Sequence, residues 1–109
     1  MAVAVVSSGT QTAVISTEHT LATVTSVKTL VLNVDTSAML IGDILELRIK
    51  YKTLTGGASV LYKLQAYQHS QAAPQKMSDP IPSDIETVFT LKQVAGTGRA
   101  FPWKVISLD

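Results

Sequence analysis

The chain has 109 residues, of which 46% are hydrophobic and 16% are charged, and its net charge is +1. These values are typical of one compact globular domain with a single core, and they exclude a disordered chain. No run of Lys or Arg supplies a basic surface, so we expect no nucleic-acid partner.

Other whole classes of protein are also excluded by what the sequence lacks. The chain contains no cysteine, which excludes disulfides and thiolate metal sites. No apolar run reaches the length of about 18 residues that a transmembrane helix needs, so we expect no membrane partner. The apolar start lacks the basic segment of a signal peptide. We therefore expect a protein that acts inside a cell or in a particle assembled there.

The first ten residues are small, apolar and uncharged. They fit either a frayed terminus or an extended arm that adds to the edge of a neighbouring sheet. Val3, Val5 and Val6 favour an ordered strand once a partner exists, because valine suits a pleated, half-buried surface. We predict an N-terminal arm over residues 1–10, with these valines as partner contacts, and a single β domain over residues 11–109.

Residues 11–27 are rich in Thr and Val, which are stiff at χ1 and favour strands. The pattern predicts two short strands broken near Glu18 and His19. No second ligand stands at metal spacing from His19, so we expect a surface or turn histidine. A further strand is predicted over residues 29–35, and one of its faces carries Leu30, Leu32 and Val34.

A long β-hairpin over residues 43–68 organises the chain. Its first strand alternates between an apolar and a charged face, which is the period of a half-buried strand. The apolar face carries Leu45, Leu47, Ile49 and Tyr51, and the charged face carries Glu46, Arg48, Lys50 and Lys52. Gly56 and Gly57 accept the positive φ angles of a hairpin turn. We predict that the apolar face is core and that Lys50 and Lys52 are candidate partner contacts.

Residues 69–84 change character, because three prolines and several polar residues spoil both periodicities. The segment is predicted to be one long loop, and such loops are usually functional or tied down. His69, Lys76 and Met77 are therefore candidate partner contacts. A plain connection between two sheets remains an equal alternative.

The last part of the chain is predicted to form two strands joined by a turn. The first strand covers residues 85–95, and Gly96 and Gly98 supply the turn. Arg99 follows this turn without the Lys-Ser/Thr of a phosphate-binding loop, so we expect it to pair or stack locally. Pro102 belongs at an edge or a bulge, because it cannot donate a ladder hydrogen bond. Trp103 is expected to pack in the core.

Strands that recur every 8 to 12 residues or so, without a convincing helix, predict an all-β fold, an antiparallel β-sandwich or barrel. A jelly-roll-like sandwich of about eight strands fits the strand count. An immunoglobulin-like domain fits the length but lacks the cysteine pair, and it remains open. No nucleophile, metal or cofactor motif is present, and we expect no enzyme, cofactor or metal site. A small hydrolase would need His69 to meet Asp79 or Asp84.

Three stretches, residues 34–48, the glycine tip of the hairpin and residues 89–103, resemble small head decoration proteins of tailed bacteriophages, also called cement proteins. The resemblance implies a non-enzymatic, jelly-roll-like virion protein on the outer surface of the capsid, made in the host cytoplasm. It implies the major capsid protein as partner, with neighbouring subunits bridged and stabilised. It also implies a homo-oligomer, with a dimer favoured over a trimer.

A second hypothesis comes from a different class. A carbohydrate-binding or fibre-type adhesion module is also a small β-sandwich, and it would stack sugars on exposed aromatic rings. Tyr67 and Trp103 are the candidates for such platforms. Burial of Trp103 would count against that role.

Overall fold

The computed structural model describes residues 3–108, which form nine β-strands. No helix in this range is long and apolar enough to cross a membrane. The strands are β1 (Val3–Thr12), β2 (Glu18–Val24), β3 (Lys28–Asp35), β4 (Ile44–Tyr51), β5 (Val60–Gln68), β6 (Gln75–Met77), β7 (Ile81–Ser83), β8 (Thr87–Ala95) and β9 (Ala100–Leu108).

The strands form two antiparallel sheets that pack as a sandwich. The first sheet has the order β1-β9-β3, and β6 and β7 both pair with β3 on its other side. The second sheet has the order β2-β8-β4-β5. β6 pairs with residues 33–35 and β7 with residues 28–30, so these two short strands follow one another along one edge. The all-β sandwich predicted from the sequence is confirmed.

The core lies between the inner faces of the two sheets. The apolar face of β4 is buried as predicted, with Leu45, Leu47 and Ile49 all less than one tenth exposed. Phe89 and Phe101 are fully buried and meet them from β8 and β9. A fully buried side chain of this size contributes about 1.5–3 kcal/mol through removal of apolar area from water. The alternation in β4 therefore sets which side of the hairpin faces the core.

The predicted hairpin is formed by β4 and β5. The two strands pair from Ile44↔Gln68 to Tyr51↔Val60. Its tip is a loop over residues 52–59 rather than a tight turn, and Gly56 adopts a positive φ of 88° there. β5 is the outer strand of its sheet, so only one of its two sides is paired.

The predicted N-terminal arm lies within the sandwich in this structure. Residues 3–10 belong to β1, which pairs with β9 of the same chain from Val3↔Leu108 to Thr12↔Ala100. Gly9 of β1 lies next to Trp103, and a Cβ at this position would be in van der Waals contact with the indole ring, at 3.4 Å. No strand end separates an arm from a domain at residue 10. Met1, Ala2 and Asp109 lie outside the described residues.

Two predicted boundaries are wrong. The segment 69–84 is not one loop, because β6 and β7 lie within it. Pro82 is tolerated in β7 because an edge strand needs ladder hydrogen bonds on one side only, and Pro74 and Pro80 lie outside both strands. The break predicted near Glu18 and His19 occurs earlier, over residues 13–17, where Ser16 takes a positive φ of 66°. Both Glu18 and His19 belong to β2.

Pro102 and Trp103 lie near the start of β9. The pairing of β9 with β3 ends at Val34↔Trp103, so Pro102 lies beyond it and opposes only Thr10 of β1. The missing N–H of Pro102 therefore leaves no gap in the β3 ladder. Trp103 is half-buried and packs against the core, which confirms its predicted side of the sheet.

Candidate partner-binding surfaces

The charged face of β4 carries a network of ion pairs centred on Glu18 of β2. The Glu18 carboxylate accepts a hydrogen bond from Thr90 Oγ1 at 2.7 Å and lies 3.0 Å from Lys50 Nζ. Arg48 reaches both Glu18, at 3.4 Å, and Glu46, at 2.6 Å. The hydrogen bonds from Thr90 and Lys50 lower the pKa of Glu18 below its usual value. Lys50 is therefore already paired within the chain.

Lys52 follows directly after β4 and is paired in the same way. Its Nζ lies 3.2 Å from the Glu86 carboxylate, which also accepts a hydrogen bond from Ser59 at 3.3 Å. Three cations and three carboxylates thus form ion pairs on this side of the sandwich, and Lys92 of β8 lies on the same face, opposite Glu18 and Glu46. We call this surface the ion-paired face, defined by Glu18, Glu46, Arg48, Lys50, Lys52 and Glu86. It offers a partner a nearly neutral surface rather than a basic one.

The free edge of β5 is apolar and exposed. Val60, Leu61, Tyr62 and Leu64 are between 41% and 60% exposed, which is unusual for four large apolar residues on one strand. Natural edge strands are commonly guarded by charges or prolines. β5 has no proline, and its one charged residue, Lys63, is bound to Asp79 at 2.9 Å. The hydrogen bond with Asp79 raises the pKa of Lys63.

The free edge of β1 is a second unguarded edge. It contains no charged residue and no proline between Val3 and Thr12. Val3 and Val5 are 64% and 59% exposed, while Val6 is half-buried against the core. The structure therefore presents Val3 and Val5 to a partner, but not Val6.

The two unguarded edges lie on opposite sides of the sandwich. β1 is the outer strand of the first sheet and lies next to β2, the outer strand of the second sheet. β5 is the outer strand of the second sheet and lies at the other side of the sandwich, next to β6 of the first sheet. Residues of β5 and β6 line one cleft there. One molecule can therefore contact two neighbours through two separate strands.

The cleft between β5 and β6 contains two of the predicted contact residues. Lys76 Nζ lies 4.9 Å from the centre of the Tyr67 ring, a distance typical of a cation–π contact. Tyr67 donates a hydrogen bond to Gln65 at 2.6 Å, and burial raises its pKa. Met77 is 63% exposed beside them. The cleft holds about 20 Å³, room for one water molecule rather than a sugar.

The two aromatic rings considered for sugar stacking are both half-buried. Lys76 covers a face of Tyr67, and Trp103 packs partly against the core and lies over Gly9. Trp103 also lines an open groove together with polar residues of β3 and β6. Tyr67 is therefore a poor stacking platform, whereas Trp103 keeps part of its ring surface exposed.

His69 has a structural contact rather than a catalytic one. Its Nδ1 accepts a hydrogen bond from the Gly42 amide at 2.9 Å, and its own φ is +63°. Asp79 is bound to Lys63, and Asp84 accepts a hydrogen bond from Tyr51 at 3.0 Å. The three residues of the hydrolase hypothesis thus each have a different partner. Among residues 3–108, no group of three or more His, Asp or Glu side chains could hold a metal ion.

The sequence reasoning missed a buried polar cluster around Asp43. This side chain is 1% exposed and accepts hydrogen bonds from Leu40 N at 2.8 Å, Thr97 N at 3.1 Å and Arg99 Nε at 2.8 Å. Gly96 fits beside it because a Cβ there would overlap with Asp43 Oδ1. Burial alone would raise the pKa of Asp43, but these hydrogen bonds outweigh it, so the pKa lies below its ordinary value of 3.8.

The cluster joins loops that are far apart in the chain. Asp43 was predicted as the first residue of the long hairpin, and Arg99 was predicted to pair locally. Arg99 instead pairs with a carboxylate 56 positions away. Gln93, fully buried, accepts a hydrogen bond from the Arg99 amide at 3.1 Å and fixes the same loop. No spacing rule could have linked Asp43 to Arg99.

The described residues thus offer two exposed strand edges and one nearly neutral ion-paired face. The predicted contact residues do not lie together at a single site. Lys50, Lys52, His69 and Lys76 are engaged within the chain, whereas Val3, Val5 and Met77 are exposed. No family model matches the chain, and no curated protein or solved structure matches it either.

Proposed function

We propose that this protein is a capsid decoration protein of a tailed bacteriophage, a non-enzymatic protein that binds the outside of the phage head and bridges neighbouring subunits of the major capsid protein. The observation that carries the proposal is the pair of unguarded edge strands, β1 and β5, on opposite sides of the sandwich. A molecule with two opposed adhesive edges is suited to linking neighbours. Weak contacts that are repeated over a lattice hold a protein strongly.

The strand order supports a jelly roll for this protein, as the resemblance implies. The first strand pairs with the last, β1 with β9, and the next pairs inward are β2 with β8, β3 with β6 and β7, and β4 with β5. A long antiparallel ribbon folded into two facing sheets gives this nesting, which is the arrangement of jelly rolls in capsid proteins. β6 and β7 both pair with β3 and can be counted as one interrupted strand. The nine strands then fill eight strand positions, the number typical of a jelly roll.

The β1 edge is the surface that we assign to the capsid. An uncharged strand with one open side can add to the edge of a partner sheet through main-chain hydrogen bonds. Val3 and Val5 would supply apolar contacts next to those bonds. Lys50 and Lys52 form a less suitable contact, because a partner would have to compete with the carboxylates that already bind them.

The test is binding of purified protein to decoration-free, DNA-filled heads of the phage that encodes the chain. We expect the wild-type protein to sediment with the heads and the Val5→Lys variant to remain in solution, because a lysine would bring an unpaired charge into an apolar contact. Val27→Lys is the matched control, since Val27 is 80% exposed in a loop and its replacement should leave binding intact. A wild-type protein that does not sediment with these heads contradicts the proposal.

A further inference from the structure

We propose that β5 is a self-association edge. Two copies of the chain pair their β5 strands antiparallel about a two-fold axis and join their four-stranded sheets into one continuous sheet. The partner strand is a second copy of the same strand. This interface follows from β5 alone and does not depend on the proposed capsid function.

The backbone of β5 shows which groups are free to pair. His69 N donates to Asp43 O at 2.8 Å directly beyond the terminal pair Ile44↔Gln68, so this hydrogen-bonded pair continues the register of the β4–β5 ladder. Hydrogen-bonded and non-hydrogen-bonded pairs alternate along an antiparallel ladder. The alternation assigns the amides of Lys63, Gln65 and Tyr67 to β4. The amide and carbonyl groups of Leu64, Ala66 and Gln68 therefore point away from β4, towards the open edge.

The side chains of β5 are complementary to themselves in one antiparallel register. With the two-fold axis at Gln65, Leu64 opposes the partner's Ala66, and these two residues lie on the outer face, opposite Arg48 and Glu46 of β4. Lys63, which is already paired with Asp79, opposes the partner's Tyr67, whose ring Lys76 already contacts. No like charges oppose each other. The strip of Leu64 and Ala66 that is exposed in one molecule becomes continuous across the pair.

Charge favours a second copy over a foreign strand. Lys63 is the one charged residue of β5 and is matched by Asp79, and the adjoining ion-paired face is internally balanced. An acidic or basic partner strand would therefore find no free counter-charge on β5 itself. With a net charge of +1, two copies also repel each other little.

The extent of the pairing is limited by the β-bulge that shifts the register between Ile49 and Lys50 of β4. The bulge leaves Tyr62 without an opposing residue on β4, and its ring lies 6.4 Å from that of Tyr51. Bulges disrupt regular pairing. We therefore place the self-association contact at residues 62–68.

The pair would leave both β1 edges open at its two far ends. Since β1 and β5 lie on opposite sides of each molecule, the two-fold axis places one β1 edge at each end of the joined assembly. If β1 binds the capsid, one dimer bridges two capsid subunits with doubled attachment. This last consequence rests on the proposed function, whereas the dimer does not.

The first test is the mass of the full-length protein in solution, measured by sedimentation equilibrium from about 1 µM to about 1 mM, the range in which weak dimers are detected. We expect a species of twice 11.6 kDa whose share rises with concentration. A monomer over the whole range overturns the proposal.

Amide hydrogen exchange by NMR locates the contact without any substitution. At concentrations where the dimer forms, the amides of Leu64, Ala66 and Gln68 should become protected, while those of Gln65 and Tyr67 should be protected at every concentration. Fast exchange at Leu64, Ala66 and Gln68 in the dimer would show that the copies meet elsewhere, and that result overturns the proposal.

Two variants test the same edge by different physics. Leu64→Lys places a charge in the apolar strip, and Ala66→Pro removes an N–H that points away from β4. Each should raise the dimer dissociation constant on the order of 30-fold, as loss of a central interface residue does, while unchanged circular dichroism shows that each folds. Leu54→Lys, at a 71% exposed loop residue, is the matched control. A dimer that both folded variants leave unchanged overturns the proposal.

The dimer and the capsid proposals can fail separately. Val5→Lys should lose binding to phage heads and keep the dimer, whereas Leu64→Lys should lose the dimer and retain weaker, single-site binding to heads. A dimer without head binding overturns only the capsid function. Head binding by a wild-type monomer overturns only the self-association of β5.

Discussion

Asp43 stabilises one end of the sandwich through a single buried carboxylate. It receives one backbone N–H from each of two loops, at Leu40 and Thr97, and the guanidinium group of Arg99. Hydrogen bonds to an ionised group are stronger than neutral ones, and their loss leaves buried donors unsatisfied. Asp43 therefore contributes more than an ordinary surface acid.

Replacement of Asp43 should measure that contribution. We expect Asp43→Ala to lower the free energy of unfolding by about 3 kcal/mol, because it leaves the partly buried guanidinium group of Arg99 and two amides unpaired. Asp79→Ala is the matched control, since Asp79 is 78% exposed and its pair with Lys63 should be worth about 1 kcal/mol or less. Urea denaturation of both variants provides the measurement. Equal losses would contradict the assignment.

The same carboxylate should make stability depend on pH in acid. The pKa of Asp43 is lower in the folded protein than its ordinary value of 3.8, so the unfolded chain binds more protons between the two values. Its stabilisation is therefore fully present above the ordinary pKa and is lost as the pH falls through the folded pKa. We expect the stability difference between wild type and Asp43→Asn to shrink below about pH 4. A difference that stays constant down to pH 2 or so would contradict this linkage.

At the scale of the strands, the sequence predicted alternation but not position in the sheet. The period-two pattern of β4 was enough to predict that Leu45, Leu47 and Ile49 are buried, because alternation reports which face meets the core. It could not show that β4 is central and β5 is an edge, since that depends on the pairing of β4 with β8, far along the chain. The two short strands β6 and β7 escaped prediction because each has only three residues and because Pro74, Pro80 and Pro82, in or next to them, are typical of loops.

The difference between β4 and β5 can be measured with two leucines. Leu45 is fully buried, so Leu45→Ala should cost about 3 kcal/mol, through lost burial and the cavity left behind. Leu64 is 41% exposed, and Leu64→Ala should cost about 1 kcal/mol or less in the monomer. Urea unfolding at low protein concentration excludes any effect of dimer formation. Similar losses at both positions would contradict the edge position of β5.

At the scale of the whole molecule, the sequence predicted the fold class more fully than the surfaces. Thr- and Val-rich segments and glycine turns indicated a β-sandwich, and the structure confirms it. The predicted contacts Lys50, Lys52 and Lys76 are instead engaged within the chain, because their partners Glu18, Glu86 and Tyr67 are brought near only by folding. The exposed apolar residues of β5 looked like ordinary strand residues in the sequence.

The proposed capsid function makes one demand on the whole molecule, which is that its binding strengthens the phage head. Decoration-free, DNA-filled heads can be heated with and without the purified wild-type protein while the release of DNA is followed with a DNA-binding dye. Because bound molecules would link neighbouring capsid subunits, we expect the wild-type protein to shift DNA release to a higher temperature. With the Val5→Lys variant, the release temperature should equal that of heads heated without added protein. An unchanged release temperature at saturating wild-type protein would contradict a decoration function.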